Sequence, residues 1–139
     1  AVLVFLPGRM SFEEYFCFEG CDEEEMAMRF LLGLSPAMLQ LGYLADPTRV
    51  NLAERRGPST VAACQLCAGV TATEALKILL ERDGVRAAPH GYQFDAYRNR
   101  LVRTWRPGGN RNPVQRIALW IARRQLNRMK MNGAADGRS

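Results

Sequence analysis

Residues Ser59 to Arg82 read STVAACQLCAGVTATEALKILLER, and this stretch decides the fold. Ser59 or Thr60 is a suitable N-cap and Asp83-Gly84 is a stop signal, so the stretch predicts one helix of roughly 24 residues. Its apolar residues cover more than one stripe, which predicts that the helix is largely buried. Small side chains line one side of the predicted helix, so that a sheet or another helix can approach its backbone closely.

Two cysteines, Cys64 and Cys67, lie inside this predicted helix with the spacing of half a zinc site. Structural zinc needs four ligands at tetrahedral geometry, and Cys17 and Cys21 would have to supply the other two. However, Cys64 and Cys67 have alanine and leucine as neighbours, and an i, i+3 pair in such a helix is typical of small side chains packed in a core. Core packing is the preferred interpretation. A zinc site and a redox or disulfide pair are the alternatives.

The other two cysteines, Cys17 and Cys21, lie in the acidic stretch EEYFCFEGCDEEE. Neighbouring carboxylates raise the pKa of a thiol and blunt its nucleophilicity, whereas a helix that begins near Asp22 would act in the opposite direction. Two ordinary loop cysteines are the preferred interpretation. A reactive, catalytic thiol at either position is the alternative.

The rest of the chain divides around the long helix. Residues 1–57 predict a strand from Ala1 to Leu6, buried on both faces, and then a helical excursion with helices at 22–34, 36–44 and 48–55. Residues 58–106 hold the long helix and a β-hairpin, whose turn at 97–100 places Asn99 in a left-handed conformation. Residues 107–139 predict a basic helix from Val114 to about Lys130 and a frayed tail. We expect all three to form one domain.

Composition limits the class of protein. A length of 139 residues suits one domain, and 47% hydrophobic with 24% charged residues is ordinary globular usage. The apolar runs are shorter than the roughly 18 residues of a membrane span, so no membrane is expected. No basic region precedes the opening run as it would in a secretory signal, and four cysteines without such a signal indicate a reducing compartment. We therefore expect a cytoplasmic protein. Because the chain opens directly on a strand, we also expect a fragment of a longer one.

The charge distribution and the remaining polar residues suggest few binding or catalytic sites. The net charge is +5, with acids concentrated in 1–25 and arginines in 86–139. The basic helix, with Trp120 among its arginines, could contact phosphates, although a solvated basic face is the preferred interpretation. His90, the only histidine, has no accompanying nucleophile and receives no catalytic role. No glycine-rich phosphate loop of the GxGxxG or Walker type is present.

Two stretches, GPSTVAACQLCAGVTATEALKILL and YQFDAYRNRLVRTWRP, carry a resemblance. Together they resemble the C-terminal half of the ThiF/MoeB/HesA family, the bacterial relatives of ubiquitin-activating enzymes. That family has a helix of the form GPVxGVxGxxQAxEAIKLL and a following strand of the form LxxFDxxxxxWRxxxL. Corresponding positions here are Gly69-Val70, Thr73-Glu74-Ala75, Lys77 and Phe94-Asp95. The opening AVLVFLP is similar to the family's GxxxVxxP strand. The resemblance covers residues 1–7 and 57–106, and it does not extend to residues 8–56 or the basic tail.

The resemblance implies an α/β fold: the C-terminal fragment of a Rossmann-like activating-enzyme domain, mostly helical, with an N-terminal strand, a long buried helix and a β-hairpin. It implies an adenylyltransferase that uses ATP and magnesium to activate the C-terminal glycine of a ubiquitin-like sulfur-carrier protein. The residues that hold ATP lie upstream in the family, so no cofactor is expected in this chain and the isolated chain is expected to be inactive.

Two further expectations concern cysteines. The family's zinc cysteines lie before the helix and after the hairpin. Here PGGNRNPVQRI follows Arg106, so that zinc site cannot be built. Some relatives hold a loop thiol where Cys17 or Cys21 falls, although the flanking residues do not match.

Self-association is also expected, because the opening strand and the thin side of the long helix would lack their natural cover in a fragment. The expected partners are thus a sulfur-carrier protein and further copies of the chain. The alternative function is a small interaction or nucleic-acid-binding module that uses the basic helix.

Overall fold

A three-stranded antiparallel sheet and four α-helices make up the part of the chain that the computed structural model describes, residues 1–39 and 60–136. The expected mixed α/β class is confirmed at this level. The helices predicted at 36–44 and 48–55 lie partly or wholly outside the described residues.

The sheet runs in the order β1 (Val2–Leu3), β2 (His90–Asp95) and β3 (Arg100–Trp105). The predicted hairpin is confirmed, with Phe94 opposite Leu101 and with Asn99 in the left-handed region at φ 49°. The first strand is shorter than predicted and half-buried, because among the described strands it pairs with β2 alone, through two residues. The expectation of a strand buried on both faces is therefore wrong.

The first two helices begin at side-chain caps. Ser11 and Glu14 form a reciprocal capping box at the start of α1 (Phe12–Phe16), a five-residue helix that the sequence pattern did not predict. Asp22 accepts a hydrogen bond of 2.8 Å from the Glu25 amide at the start of α2 (Glu23–Leu34), where the acidic first turn predicted a helix.

The core is aromatic and lies around α1. Tyr15 and Phe16 are almost completely buried, and the Phe16 ring stacks on Phe18 at 5.4 Å between ring centroids. The Tyr15 hydroxyl donates to the carbonyl of Gly33 on α2 over 3.1 Å. Burial raises the pKa of Tyr15, and the charge of Arg106 opposes that rise. The tyrosine therefore remains a neutral donor that ties α1 to α2.

The fourth helix, α4 (Pro113–Asp136), crosses α2 and follows a short 3₁₀ turn, Gly109–Arg111. Gly109 has φ +55°, and a Cβ atom there would lie 2.1 Å from the Tyr15 carbonyl oxygen. This glycine lets the turn approach the backbone of α1. The helix runs beyond the predicted end near Lys130, into the tail that was expected to fray.

The long helix, α3 (Val61–Leu79), forms where the sequence predicts it, with Thr60 as its N-cap, but it is not buried. Val61 is 74% and Leu79 77% exposed, and Glu74 is the one buried residue along the helix. Its principal contact with another described element is with β1, so most of its apolar surface lies uncovered. The prediction of a long buried helix is thus wrong: apolar composition favours burial, but it does not supply the covering surface.

Of the described helices, α3 alone is long and apolar enough to cross a membrane by length and composition. The short uninterrupted apolar runs had led us to expect no such stretch. One such helix is weak evidence for a membrane, because the core helices of soluble proteins pass the same test.

Candidate functional site

The acidic cysteine stretch lies along a groove between α1 and the first half of α4. We call it the Cys17 groove; its volume is about 1390 Å³. Carboxylates of α1 and the following loop line one wall, arginines of the α4 region line the other, and Phe18, Ile117 and Trp120 contribute apolar surface. The acidic residues are Glu13, Glu14 and Glu19, and the arginines of the opposite wall are Arg111, Arg116 and Arg123.

Cys17 closes α1 and is half-buried in this groove. It has φ 56°, and its backbone amide donates to the Glu13 carbonyl, which ends the helix in a left-handed cap. Its thiol donates to the carbonyl oxygen of Glu14 over 3.1 Å. The thiol is therefore held against the end of α1 and in contact with the groove.

Cys21 lies four residues later, at the end of a turn in which its amide donates to the Phe18 carbonyl over 3.1 Å. Its sulfur is 3.7 Å from the carbonyl oxygen of Cys17 and 3.7 Å from that of Glu19. The two thiols thus belong to one turn, and both are free and half-buried.

An ion cluster fixes this turn against α2 and α4. Arg29 donates to the carbonyl of Cys17 and also to Glu25, with 2.7 Å between Arg29 Nε and Glu25 Oε1. Arg123 of α4 donates to both oxygens of the Glu25 carboxylate, over 2.8 Å from its Nε atom. The Arg29 guanidinium therefore contacts the Cys17 backbone, and it positions the turn rather than pairing with the thiol.

The Glu25 carboxylate is correspondingly easy to ionise. Hydrogen bonds from Arg123 and then from Arg29 lower its pKa from 4.5 to about 2, although desolvation opposes them. The hydrogen bond to Glu25 is also the largest cause of the raised pKa of Arg123, and the nearby Cys21 contributes to that rise. The cluster stays charged over the whole physiological pH range.

Two buried amides complete the support of the groove. Asn110 donates to the carbonyls of Phe16 and Arg29, over 3.0 Å in each case. Gln115 donates to the carbonyl of Leu32 over 3.0 Å and lies 3.5 Å from the Asn110 side chain. Sequence reasoning missed both residues, because their partners are 81 to 94 positions away. Gly108 and Gly109, which precede Asn110, were the one local signal that this turn approaches another part of the backbone closely.

Cys64 and Cys67 lie elsewhere, on α3, and both are exposed. Cys67 Sγ is 3.7 Å from the carbonyl oxygen of Ala1. The preferred interpretation of a core-packed pair is wrong, since both side chains are exposed and no described element covers that side of α3. Across residues 1–39 and 60–136, no three His, Cys, Asp or Glu side chains cluster closely enough to hold a metal ion.

His90 begins β2 opposite Trp105, with 6.3 Å between the two ring centroids. His90 therefore contacts an aromatic ring of the sheet, and it is not among the residues that line the Cys17 groove.

Two of the described helix N-termini, those of α2 and α4, are capped by side chains of the chain itself. An anion site at a helix N-terminus needs free backbone amides. The Val114 amide at the start of α4 is instead bonded to Asn112 Oδ1 over 3.1 Å. At the start of α2 the Asp22 carboxylate holds the Glu25 amide, and three glutamates follow. At each of these two termini, one of the free backbone amides is thus already bonded to a side chain of the chain itself.

Comparison of the chain with protein-family models, curated proteins and solved structures found no match. Any function is therefore argued from the residues and their geometry.

Proposed function

We propose that the chain is the C-terminal part of a ThiF-like ATP-dependent adenylyltransferase that activates the C-terminus of a ubiquitin-like sulfur carrier. The observation that carries the proposal is that two acidic residues of the family-like stretches, Glu74 and Asp95, are buried. Glu74 is the buried residue of α3, and Asp95 is buried at the end of β2. Both belong to the stretches that resemble the family.

The contacts of Glu74 and Asp95 indicate that these residues of the family-like stretches stabilise the fold. Glu74 pairs with Lys77 over 2.6 Å, and both lie in the TEALK segment. Asp95 Oδ1 accepts from the Arg98 amide over 3.2 Å and so stabilises the hairpin turn. Because a buried carboxylate needs partners, such residues are constrained in a way that exposed ones are not. Two of the residues on which the resemblance rests, Glu74 and Asp95, thus stabilise the structure of the chain.

In this proposal the chain supplies the surface that meets the carrier, and the nucleotide site belongs to another part of the enzyme. Adenylation needs a phosphate cradle, a carboxylate for the metal and cations placed where charge develops. The sequence contains no glycine-rich phosphate loop that would form such a cradle. The Cys17 groove, with a thiol and walls of opposite charge, is the place where a carrier tail would lie, and Cys17 and Cys21 are the candidate acceptor thiols.

An ATP–pyrophosphate exchange assay tests whether the nucleotide site lies outside this chain. The chain, ATP and a sulfur-carrier peptide that ends in Gly-Gly should show no ATP–pyrophosphate exchange above a control without protein. Exchange that is lost on changing Cys17→Ser would contradict the proposal, because it would place the catalytic apparatus in this chain.

The coding sequence upstream of Ala1 provides the positive test. A strand followed by GxGGxG is expected there, since that loop cradles the nucleotide in the family. An unrelated pattern at that position would refute the assignment.

A second candidate function is nucleic-acid binding by α4. Trp120 is 56% exposed, and the Arg124 guanidinium lies 5.4 Å from its ring centroid, which is a surface suited to stacking a base. Binding through phosphates would weaken steeply with salt, by roughly one unit of log-log slope per contact. Binding that is absent, or unaffected by salt and by Trp120→Ala, would eliminate this candidate.

A further inference from the structure

One face of the β-hairpin carries aromatic and basic side chains. Along β2 and β3 the side chains alternate between the two faces of the sheet, and the buried ones lie on one of these faces: Gly91, Gln93, Asp95 and Thr104. We call the opposite face the Trp105 face. It consists of His90, Tyr92 and Phe94 of β2 and of Leu101, Arg103 and Trp105 of β3.

The strand register sets the order of the side chains across the Trp105 face. Arg103 lies in the middle row, directly opposite Tyr92. An exposed aromatic ring lies in the row on either side, Trp105 in one and Phe94 in the other. Successive rows on one face of a strand are about 7 Å apart, so these two rings are about 14 Å apart along the sheet. They could therefore stack on different bases of one strand.

The charge of the hairpin is almost entirely positive. Residues 90–106 contain four arginines, Arg98, Arg100, Arg103 and Arg106, and one acidic residue, Asp95, which is buried on the other face. Arg103 is exposed at the centre of the Trp105 face. A purely apolar partner would bury this guanidinium without a counter-charge, which is costly, whereas a phosphate would pair with it. The charge thus favours a polyanion as the occupant.

We propose that the Trp105 face binds single-stranded nucleic acid, with Trp105 and Phe94 stacked on bases and Arg103 in contact with a phosphate between them. Stacking on an aromatic side chain accepts any base, because every base has a π-face. A single strand can splay its bases onto such a surface, whereas the bases of a duplex are already stacked and paired. None of these three residues lines the Cys17 groove or belongs to α4, so the proposal depends on neither candidate function.

Tryptophan fluorescence tests which surface binds. The chain contains two tryptophans, Trp105 and Trp120, which are 61% and 56% exposed. In Trp120→Phe only Trp105 emits, and an oligouridylate of about ten nucleotides should quench it with a Kd of about 10 μM at low salt. In Trp105→Phe only Trp120 emits, and the same oligonucleotide should leave its emission unchanged. Quenching of Trp120 alone, or no quenching of Trp105 up to about 1 mM, would overturn the proposal.

Fluorescence anisotropy of the labelled oligouridylate measures the contribution of stacking. Trp105→Ala and Phe94→Ala should each weaken binding by at least about fivefold, while circular dichroism shows an unchanged fold. Trp120→Ala removes an equally exposed tryptophan from α4 and should leave the affinity unchanged. An RNA duplex of the same length should bind at least about tenfold more weakly. A duplex bound as tightly as the single strand would overturn the proposal, and so would equal losses in the two tryptophan-to-alanine variants.

Two arginines of β3 separate a phosphate contact from general charge attraction. Arg103→Gln should weaken binding and reduce the slope of log affinity against log salt by about 0.7, the value for one phosphate contact with a single strand. Arg100→Gln removes the same charge from the same strand but on the other face, since Arg100 lies opposite Asp95. It should change the slope by less than half as much. Equal slopes for the two variants would overturn the placement of the phosphate at Arg103.

Discussion

Arg123, on the fourth helix, donates two hydrogen bonds to the carboxylate of Glu25, which lies 98 residues earlier in the first turn of the second helix. This contact joins the basic and acidic ends of the chain. The acids concentrated in residues 1–25 and the arginines concentrated in residues 86–139 thus meet at this pair.

The Arg123 to Glu25 contact should contribute pH-dependent stability. The folded-state pKa of Glu25 is lowered from 4.5 to about 2, so the contribution is complete above pH 4.5 and is lost as the pH falls towards 2. Arg123→Ala should lower the free energy of unfolding at pH 7 by about 0.5 to 1 kcal/mol, a modest value because the arginine side chain is 44% exposed.

Urea denaturation at pH 7, 4 and 2.5 measures this effect. The difference between the chain and Arg123→Ala should shrink as the pH falls. Arg116→Ala removes an exposed arginine of the same helix and should show no such trend. A difference for Arg123→Ala that grows in acid would contradict the assignment.

Asn110 should be one of the most sensitive polar positions. Asn110→Ala leaves the carbonyls of Phe16 and Arg29 without their donor, and should lower the free energy of unfolding by about 2 to 3 kcal/mol. Asn127→Ala, at an exposed position of the fourth helix, should change the free energy of unfolding by less than about 0.5 kcal/mol. Chemical denaturation compares the two variants, and equal values would show that Asn110 does not join the helices.

Two glycines with positive φ should respond very differently to alanine. Gly109→Ala brings a Cβ atom into the Tyr15 carbonyl and should destabilise the chain by at least about 3 kcal/mol. Gly8 has φ +74° but open space around it, so Gly8→Ala should cost only about 1 to 2 kcal/mol. Thermal unfolding of both variants is the measurement. A Gly109→Ala protein as stable as Gly8→Ala would refute the close approach of the turn to α1.

The four cysteines should separate into two reactivity classes. Cys64 and Cys67 are exposed, whereas Cys17 and Cys21 are half-buried and in contact with backbone carbonyls. Reaction with an aromatic disulfide reagent should be at least about tenfold faster at the first pair. Mass spectrometry of the modified peptides identifies the sites, and Cys64→Ser with Cys67→Ser should remove the fast phase. A fast phase that survives in this double variant would contradict the described exposure.

Local patterns predicted the local structure well. The Asp22 cap, the turn at Asn99 and the Thr60 cap each rest on a few neighbouring residues, so the second helix, the hairpin and the start of the third helix were predictable. The first helix was missed because five residues are too few to establish a helical period.

Long-range features were harder to predict. Apolar composition predicted burial of the third helix, but composition does not specify which surface covers a helix. The Cys17 groove depends on contacts of Asn110, Gln115 and Arg123 with residues more than 80 positions away, and no short motif encodes them. Cys17 and Cys21 were identified as candidates, whereas the ion cluster and the amides that position them were not.

The most direct test of the proposed adenylyltransferase role is calorimetric titration of the chain with a ubiquitin-fold sulfur carrier. A matched carrier without its last two glycines serves as the control. The account predicts micromolar binding of the complete carrier, with a Kd of about 10 μM, and at least about tenfold weaker binding of the shortened one. Equal binding of both forms, or no binding of either, would contradict it.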